Sequence, residues 1–194
     1  MRAILCKEYG PAETLVIEDV TSPVVKGHGV KVRVKAAGLN FPDTLIIEGK
    51  YQLKPTMPFS PGGEMSGEVI EVGEKVTRFK PGDRVAGLTG YGAFAEEVVV
   101  PEQNILPIPE SMSDEKAAAF SMVYGTSYYA LKQRANIQPG ETLLVLGASG
   151  GVGLATVELG KAMGAHVIAA ASTAEKLAVA KEAGADELIN YTEE

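Results

Sequence analysis

Residues 142–173 read TLLVLGASGGVGLATVELGKAMGAHVIAAAST. TLLVLGA (142–148) is a short apolar run of the kind buried on both faces of a parallel sheet. GVGLATVELGKAMGA then reads as a helix ending near Gly164, and HVIAAAS (166–172) as a second buried strand. Downstream, TAEKLAVAKEAGA predicts a second helix, with Thr173 as N-cap and Gly184 at its end. ELINY (187–191) is a third strand. The order β-α-β-α-β implies a parallel sheet with right-handed crossovers, one mononucleotide half of a doubly wound fold. We expect the 194-residue chain to be a fragment of a longer one; the alternative is a small protein whose open sheet edge is covered by dimerisation.

Upstream the pattern changes. DEKAAAFSMVYGTSYYALKQRA (114–135) is Ala-rich, with acids first and bases last, as the helix dipole prefers, and Gly125 is expected to interrupt it. Before Ser113 the chain reads as short strands punctuated by Gly and Pro. In GVKVRVKAAG, Val30, Val32 and Val34 alternate with Lys31, Arg33 and Lys35, a half-buried strand. SGEVIEVG, GDRVAGL and AFAEEVVVPEQNILPIP continue the style, with Pro101, Pro107 and Pro109 at strand ends. A small β-barrel or sandwich over residues 1–115, followed by a partial nucleotide-binding domain over 116–194, is the expected organisation.

Composition narrows the function. A 45 % hydrophobic and 22 % charged chain has enough apolar surface to fold. A net charge of −7 argues against nucleic acid as partner. No apolar run reaches the length of a membrane-spanning helix, so no membrane partner is expected. A single cysteine, Cys6, excludes a disulfide framework and is expected to be a small buried residue. MRAILCKEYG lacks a secretory h-region, which makes the cytoplasm the default location.

The turn Gly147-Ala-Ser-Gly150-Gly151-Val-Gly153 lies between a strand and a helix, the context a dinucleotide fingerprint needs. Ser149, Gly150, Gly151 and Val152 would bring backbone N–H groups to a pyrophosphate at a helix N-terminus. The competing reading is a glycine turn that only allows close helix–strand packing. An NAD site wants an acid at the end of the second strand, but this strand ends in Ala171-Ser172-Thr173. Ser172, Lys176 and Tyr191 would instead suit a ribose 2′-phosphate, which favours NADPH. The counter-reading makes Glu175 the ribose acid and Lys176 a solvated lysine.

These strings, with AAGLNFPDTLIIEGKY (36–51), PFSPGGEMSGEV (58–69), YGTSYYAL (124–131) and INYTEE, resemble the medium-chain dehydrogenase/reductase superfamily, and within it the zinc-free, zeta-crystallin-like NADPH:quinone oxidoreductases. The resemblance covers the whole chain. It implies α/β architecture with a β-barrel: a GroES-like domain followed by the first half of a Rossmann-type sheet. It also implies a homodimer when full length, and a cleft between the domains for a quinone or an α,β-unsaturated carbonyl. Zinc-dependent relatives place a Cys, a His and a further Cys or acid where this chain has Gly38-Leu39-Asn40, Gly63 and Met122-Val123-Tyr124. A metal-free mechanism is therefore expected.

By the same resemblance, Asn40 would donate a hydrogen bond to a carbonyl or to the nicotinamide ribose, and Tyr51 would be a proton donor. Read without it, Tyr51 is a half-buried loop aromatic. Thr126 and Tyr128 match positions lining the nicotinamide and ribose, or simply belong to a packed helix. Leu45 stands where several quinone reductases carry Tyr; it makes the expected pocket apolar, with Phe41, Ile46 and Ile47. Asp43 is expected to cap a turn, while Glu64 and Glu68 are expected on solvated faces. A non-catalytic NADPH-binding or crystallin-like structural protein, or an inactive fragment, is the rival reading.

Overall fold

The computed structural model describes residues 1–193; Glu194, the last residue of INYTEE and of the expected second domain, lies outside the described residues. The chain forms two compact units, Met1–Met122 and the segment from Val123 onward.

In the first unit, β1 (Arg2–Leu5) and β2 (Val16–Asp19) form an antiparallel hairpin. The main sheet holds β3 (Gly29–Gly38), β4 (Glu64–Val72), β5 (Arg84–Leu88), β6 (Glu97–Pro101) and β7 (Ile105–Pro107), all antiparallel, in the order β6-β3-β4-β5-β7. The alternation of β3 turns Val30 and Val32 inward, where they meet Met65, Val69, Val85, Val100 and Ile105 in one apolar core. Pro101 and Pro107 close their strands, where a missing N–H costs no ladder bond. Register shifts between β3 and β4 fall at Lys31/Val32 and at Val34/Ala36. Beyond the second shift Gly38 pairs with Glu64, so the bulge aims the ends of both strands at one spot. α1 (Phe41–Ile47) follows β3 and buries Ile46 and Ile47 against Cys6 and Phe59. Cys6 is buried as expected, and burial raises its thiol pKa.

The expected helix over 114–135 is in fact several pieces. α2 (Asp114–Ala118) is capped by Ser113 Oγ, which accepts from Lys116 N–H at 3.3 Å. α2 ends at Ala119, and α3 (Ser121–Tyr128) runs straight through Gly125 before a π-helical turn at Tyr129–Arg134. Gly125 costs a helix only about 1 kcal/mol, too little to break it. The break comes instead where buried Ala117 and Ala118 pack on β3 and β4. That packing also keeps α2 in the first unit, so the units divide after Met122 and not at the expected 115/116.

The second unit is built as the sequence reads. β8 (Thr142–Leu146), β9 (His166–Ala171) and β10 (Glu187–Asn190) lie parallel in the order β10-β9-β8. α4 (Gly151–Ala162) packs on β8 and β9, and α5 (Ala174–Glu182) on β9 and β10. Thr173 caps α5 through its side-chain oxygen. The core is built of small residues, among them Ala148, Ala165, Ala169, Ala180 and Ala185 around Val145, Val157 and Val167. β8 is an edge strand, and Leu144 and Leu146 on it are exposed. Among the described residues no helix is long and apolar enough to cross a membrane.

Candidate functional site

In the first unit the polar residues cluster where β3 and β4 end. Asn40 is the N-cap of α1 and Asp43 its N3 residue, the spacing of a capping box. Asn40 N–H donates to Asp43 Oδ2 at 2.8 Å, and Gly63 N–H donates to Asp43 Oδ1 at 2.9 Å. The carboxylate of Asp43 thus caps, as expected, and also ties α1 to the loop before β4. Glu64 departs from expectation. It is fully buried, not on a solvated face, because the start of β4 is covered on both sides. Its Oε2 accepts from Asn40 Nδ2 at 2.9 Å and its Oε1 from Met122 N–H at 2.8 Å. Gly38 makes the approach possible: a Cβ there would stand 2.4 Å from Ala118 O and 2.9 Å from Glu64 Oε2. Burial raises the pKa of both Asp43 and Glu64 above the usual carboxylate range, against the pull of the hydrogen bonds they accept.

Beside this cluster lies a cavity of about 200 Å³. Pro42, Asp43, Ile46, Tyr51, Leu53 and Met122 are among its lining residues. Tyr51 is half-buried, and among the described residues no hydrogen bond holds its hydroxyl. The cavity is apolar with one carboxylate edge. Its composition corrects one expectation: Phe41 is 74 % exposed and Ile47 belongs to the core, which leaves Ile46 to line the space.

In the second unit the glycine-rich turn passes from β8 into α4. A Cβ on Gly153 would lie 2.3 Å from Gly147 O and 2.8 Å from Ala148 Cα, so this glycine is required by the close approach of turn and helix. Among the described residues no side chain caps α4, whose N-cap is Gly150. Leu154 N–H makes the first intrahelical bond, to Gly150 O, so the N–H groups of Gly151, Val152 and Gly153 have no helical acceptor. α2 and α5, by contrast, have capping hydroxyls. An uncapped, glycine-lined N-terminus has the donors and the dipole end that an anion takes.

At the end of β9, Lys176 Nζ donates to Ser172 Oγ at 3.0 Å. Tyr191 N–H donates to Ala171 O and Thr192 Oγ1 to Ser172 O, at 3.3 and 3.1 Å. Lys176 and Tyr191 are exposed and no acid stands at the strand end. Glu175 lies in the first turn of α5 with Thr173 as its hydrogen-bond partner. Thr126 and Tyr128 are exposed on α3. The buried residue between them is Ser127, whose Oγ donates to Val152 O at 3.0 Å and accepts from Thr156 Oγ1 at 3.0 Å. The sequence carries no local signal for Ser127 or Thr192, and it places Glu64 on a solvated face. Only the Asn40-x-x-Asp43 capping spacing carried a local signal for the buried cluster.

Zinc does not fit the first unit. Among the described residues no group of three or more His, Cys, Asp and Glu side chains could hold a metal ion. Asp43 and Glu64 direct their oxygens at N–H donors instead.

The first unit is thus an antiparallel sheet with a buried carboxylate cluster, and the second a parallel half-sheet with an uncapped glycine turn. Residues 26–110 match the family described as "Alcohol dehydrogenase GroES-like domain", and residues 151–194 that described as "Zinc-binding dehydrogenase". The quinone oxidoreductase-like protein 2 homolog of Nematostella vectensis is 49 % identical over 100 % of this chain and 53 % of its own length. Among solved structures, the quinone oxidoreductase of Pseudomonas syringae pv. Tomato DC3000 superposes with a TM-score of 0.93 at 42 % identity. It matches 100 % of this chain and 59 % of its own. The Escherichia coli quinone oxidoreductase complexed with NADPH gives 0.92 at 35 % identity, with 100 % and 60 % covered. The chain belongs to the medium-chain dehydrogenase/reductase superfamily. It spans between about half and three fifths of the length of these relatives.

Proposed function

We propose that this protein is an NADPH-dependent oxidoreductase that reduces a quinone or an α,β-unsaturated carbonyl. The single observation that carries the cofactor choice is the Lys176–Ser172 pair at the end of β9, with no acid there to take a ribose 2′-hydroxyl. Lys176 supplies charge and Ser172 a hydroxyl to a 2′-phosphate, and exposed Tyr191 adds a phenol. The turn residues Ser149, Gly150, Gly151 and Val152 hold the pyrophosphate on the uncapped N-terminus of α4. Thr126 and Tyr128 serve the nicotinamide side. The Escherichia coli relative's NADPH complex supports the same choice.

When bound, NADPH supplies the hydride. Asn40 orients an oxygen of the ligand, and the cavity beside Tyr51 offers apolar walls to a conjugated ring. Hydride addition leaves the acceptor anionic, and one proton completes the reduction to hydroquinone or saturated carbonyl. The Tyr51 phenol is the donor for an enoyl carbon, whereas a quinone takes its one proton from solvent equally well.

Paired titrations with NADPH and NADH, followed by nicotinamide fluorescence, test the cofactor assignment. NADPH should bind more tightly, and Lys176→Ala should weaken NADPH while leaving NADH unchanged. Equal losses for both would remove the phosphate role. Tyr51→Phe should slow enoyl reduction more than quinone reduction; an unchanged enoyl rate would take Tyr51 out of the mechanism.

A further inference from the structure

We propose that Glu64 is a positioning residue that fixes the amide of Asn40 with Nδ2 on the carboxylate, so that the second Nδ2 N–H is left to read a neutral oxygen during binding. The proposal rests on the reading above that Asn40 faces the bound ligands.

A fully buried carboxylate with no cationic partner among the described residues is an expensive choice for a structural niche. A neutral side chain of the same shape would fill the space at lower cost. What the carboxylate offers is polarity of one sign only. Ionised, it accepts and cannot donate, so the group that meets it must be an N–H. The two ends of an asparagine amide have nearly the same shape, and only their partners decide which way it sits. Here Glu64 decides: its Oε2 draws Nδ2 at 2.9 Å, while the Asp43 N–H donates to the Asn40 backbone carbonyl at 3.0 Å. One amide N–H is then left over. Glu64 is itself held from its other oxygen by Met122 N–H, so it has no freedom to rotate away.

The same geometry decides what the free N–H reads. A developing oxyanion bound there would lie one hydrogen-bond relay from the Glu64 charge. At that separation the repulsion is of the same order as the benefit of one oxyanion donor. A ribose hydroxyl, which stays neutral throughout, meets no such opposition, whereas a carbonyl there would turn into the opposed oxyanion as hydride adds. The effect therefore falls on binding and not on the chemical step.

Glu64→Gln tests this. Its Oε1 must go to Met122 N–H, which puts an NH2 against the Asn40 NH2 and forces the asparagine to turn over or let go. In the full chain this variant should raise the Kd of NADPH about tenfold, as for one lost hydrogen bond, with kcat almost unchanged. The side-chain amide resonances of Asn40 should shift in the variant. Glu64→Asp keeps the charge, shortens the reach and should fall between. A fall in kcat at constant KM and Kd, or Asn40 amide resonances that do not move, would overturn the proposal. Should Glu64→Gln not fold, Glu64→Asp decides by the same two readouts. If the wild type turns over no acceptor, the function reading fails, and the resonances and the NADPH Kd still decide the role of Glu64.

Discussion

The two units fill their cores with different material. The first packs Val30, Val32, Met65, Val69, Val85 and Ile105 inside an antiparallel sheet, and the second packs alanines between a parallel sheet and its helices. In the first, large side chains fill the interior that the sheet encloses. In the second, small side chains let helix and sheet close up: a Cβ on Gly160 would meet Leu143 Cδ2 at 2.6 Å and one on Gly153 backbone at 2.3 Å, although the first unit has glycines as tight, Gly67 and Gly87, each with a Cβ 2.1 Å from backbone. The size of the core side chains is thus what separates the two: emptying should cost the first unit most, while overfilling a glycine should be felt in either.

The largest effect is expected from emptying the first. Met65 is fully buried in the sheet core, so Met65→Ala should destabilise that unit by about 2–5 kcal/mol. Urea unfolding followed by amide exchange in β3 and β4 would report it. A loss under about 1 kcal/mol would mean that the core collapses onto the space, against the view of a unit held up by bulk.

Overfilling the second comes next. Gly153→Val places a branched side chain against Gly147 O and Ala148 Cα, which are backbone and cannot swing away. It should cost about 1–3 kcal/mol, read from amide exchange in β8 and β9, and should abolish NADPH binding as the turn shifts. Wild-type affinity in this variant would show that the turn is slack and that the glycine is not needed for its course.

These two sites also show what the sequence could reveal. The second unit was legible almost residue by residue, because each of its elements satisfies a local rule. Its strands are apolar runs, Thr173 caps, and Gly164 and Gly184 end helices with φ of 83° and 106°. The first unit was legible as strands, but its cluster was not. Glu64 looks like a surface acid because nothing near it in sequence records that Asn40, from another element, and Met122, far along the chain, converge on it. The break at Ala119 was missed for the same reason: tertiary packing of Ala117 and Ala118 outweighed the helix signal.

Acid should separate two kinds of carboxylate. Hydrogen bonds from His28 and from the N–H groups of Thr77 and Arg78 hold Glu102 below its usual pKa. Its unfolded form binds more protons, so its contribution is present above the unfolded pKa and is lost as pH falls through the folded one. Asp43 and Glu64 are raised by burial and run the other way, with stability falling as pH rises from the ordinary carboxylate range to their folded values. Melting temperatures taken from neutral pH downward should show Glu102→Gln less stable than wild type at neutrality, with the two curves converging in acid. For Glu64→Gln the difference from wild type should drift in the opposite direction. Parallel curves for both variants would mean that neither carboxylate titrates differently on folding.

The smallest expected change in stability is the one that best divides packing from binding. Gly150 has φ −79°, and a Cβ there would find its nearest neighbour, Gly147 O, at an ordinary 3.5 Å, so a side chain is tolerated. Gly150→Asp would give α4 the carboxylate cap that it lacks and should stabilise the second unit by only a few tenths of a kcal/mol. The same carboxylate would occupy the N–H groups of Val152 and Gly153 and place a negative charge where a pyrophosphate belongs. Stability should therefore rise slightly while NADPH affinity falls steeply, and the loss should shrink at high salt as the repulsion is screened. A variant that gained stability and kept its affinity would show that the turn is glycine-rich for packing alone. The absence of a cap on α4 would then have no functional meaning.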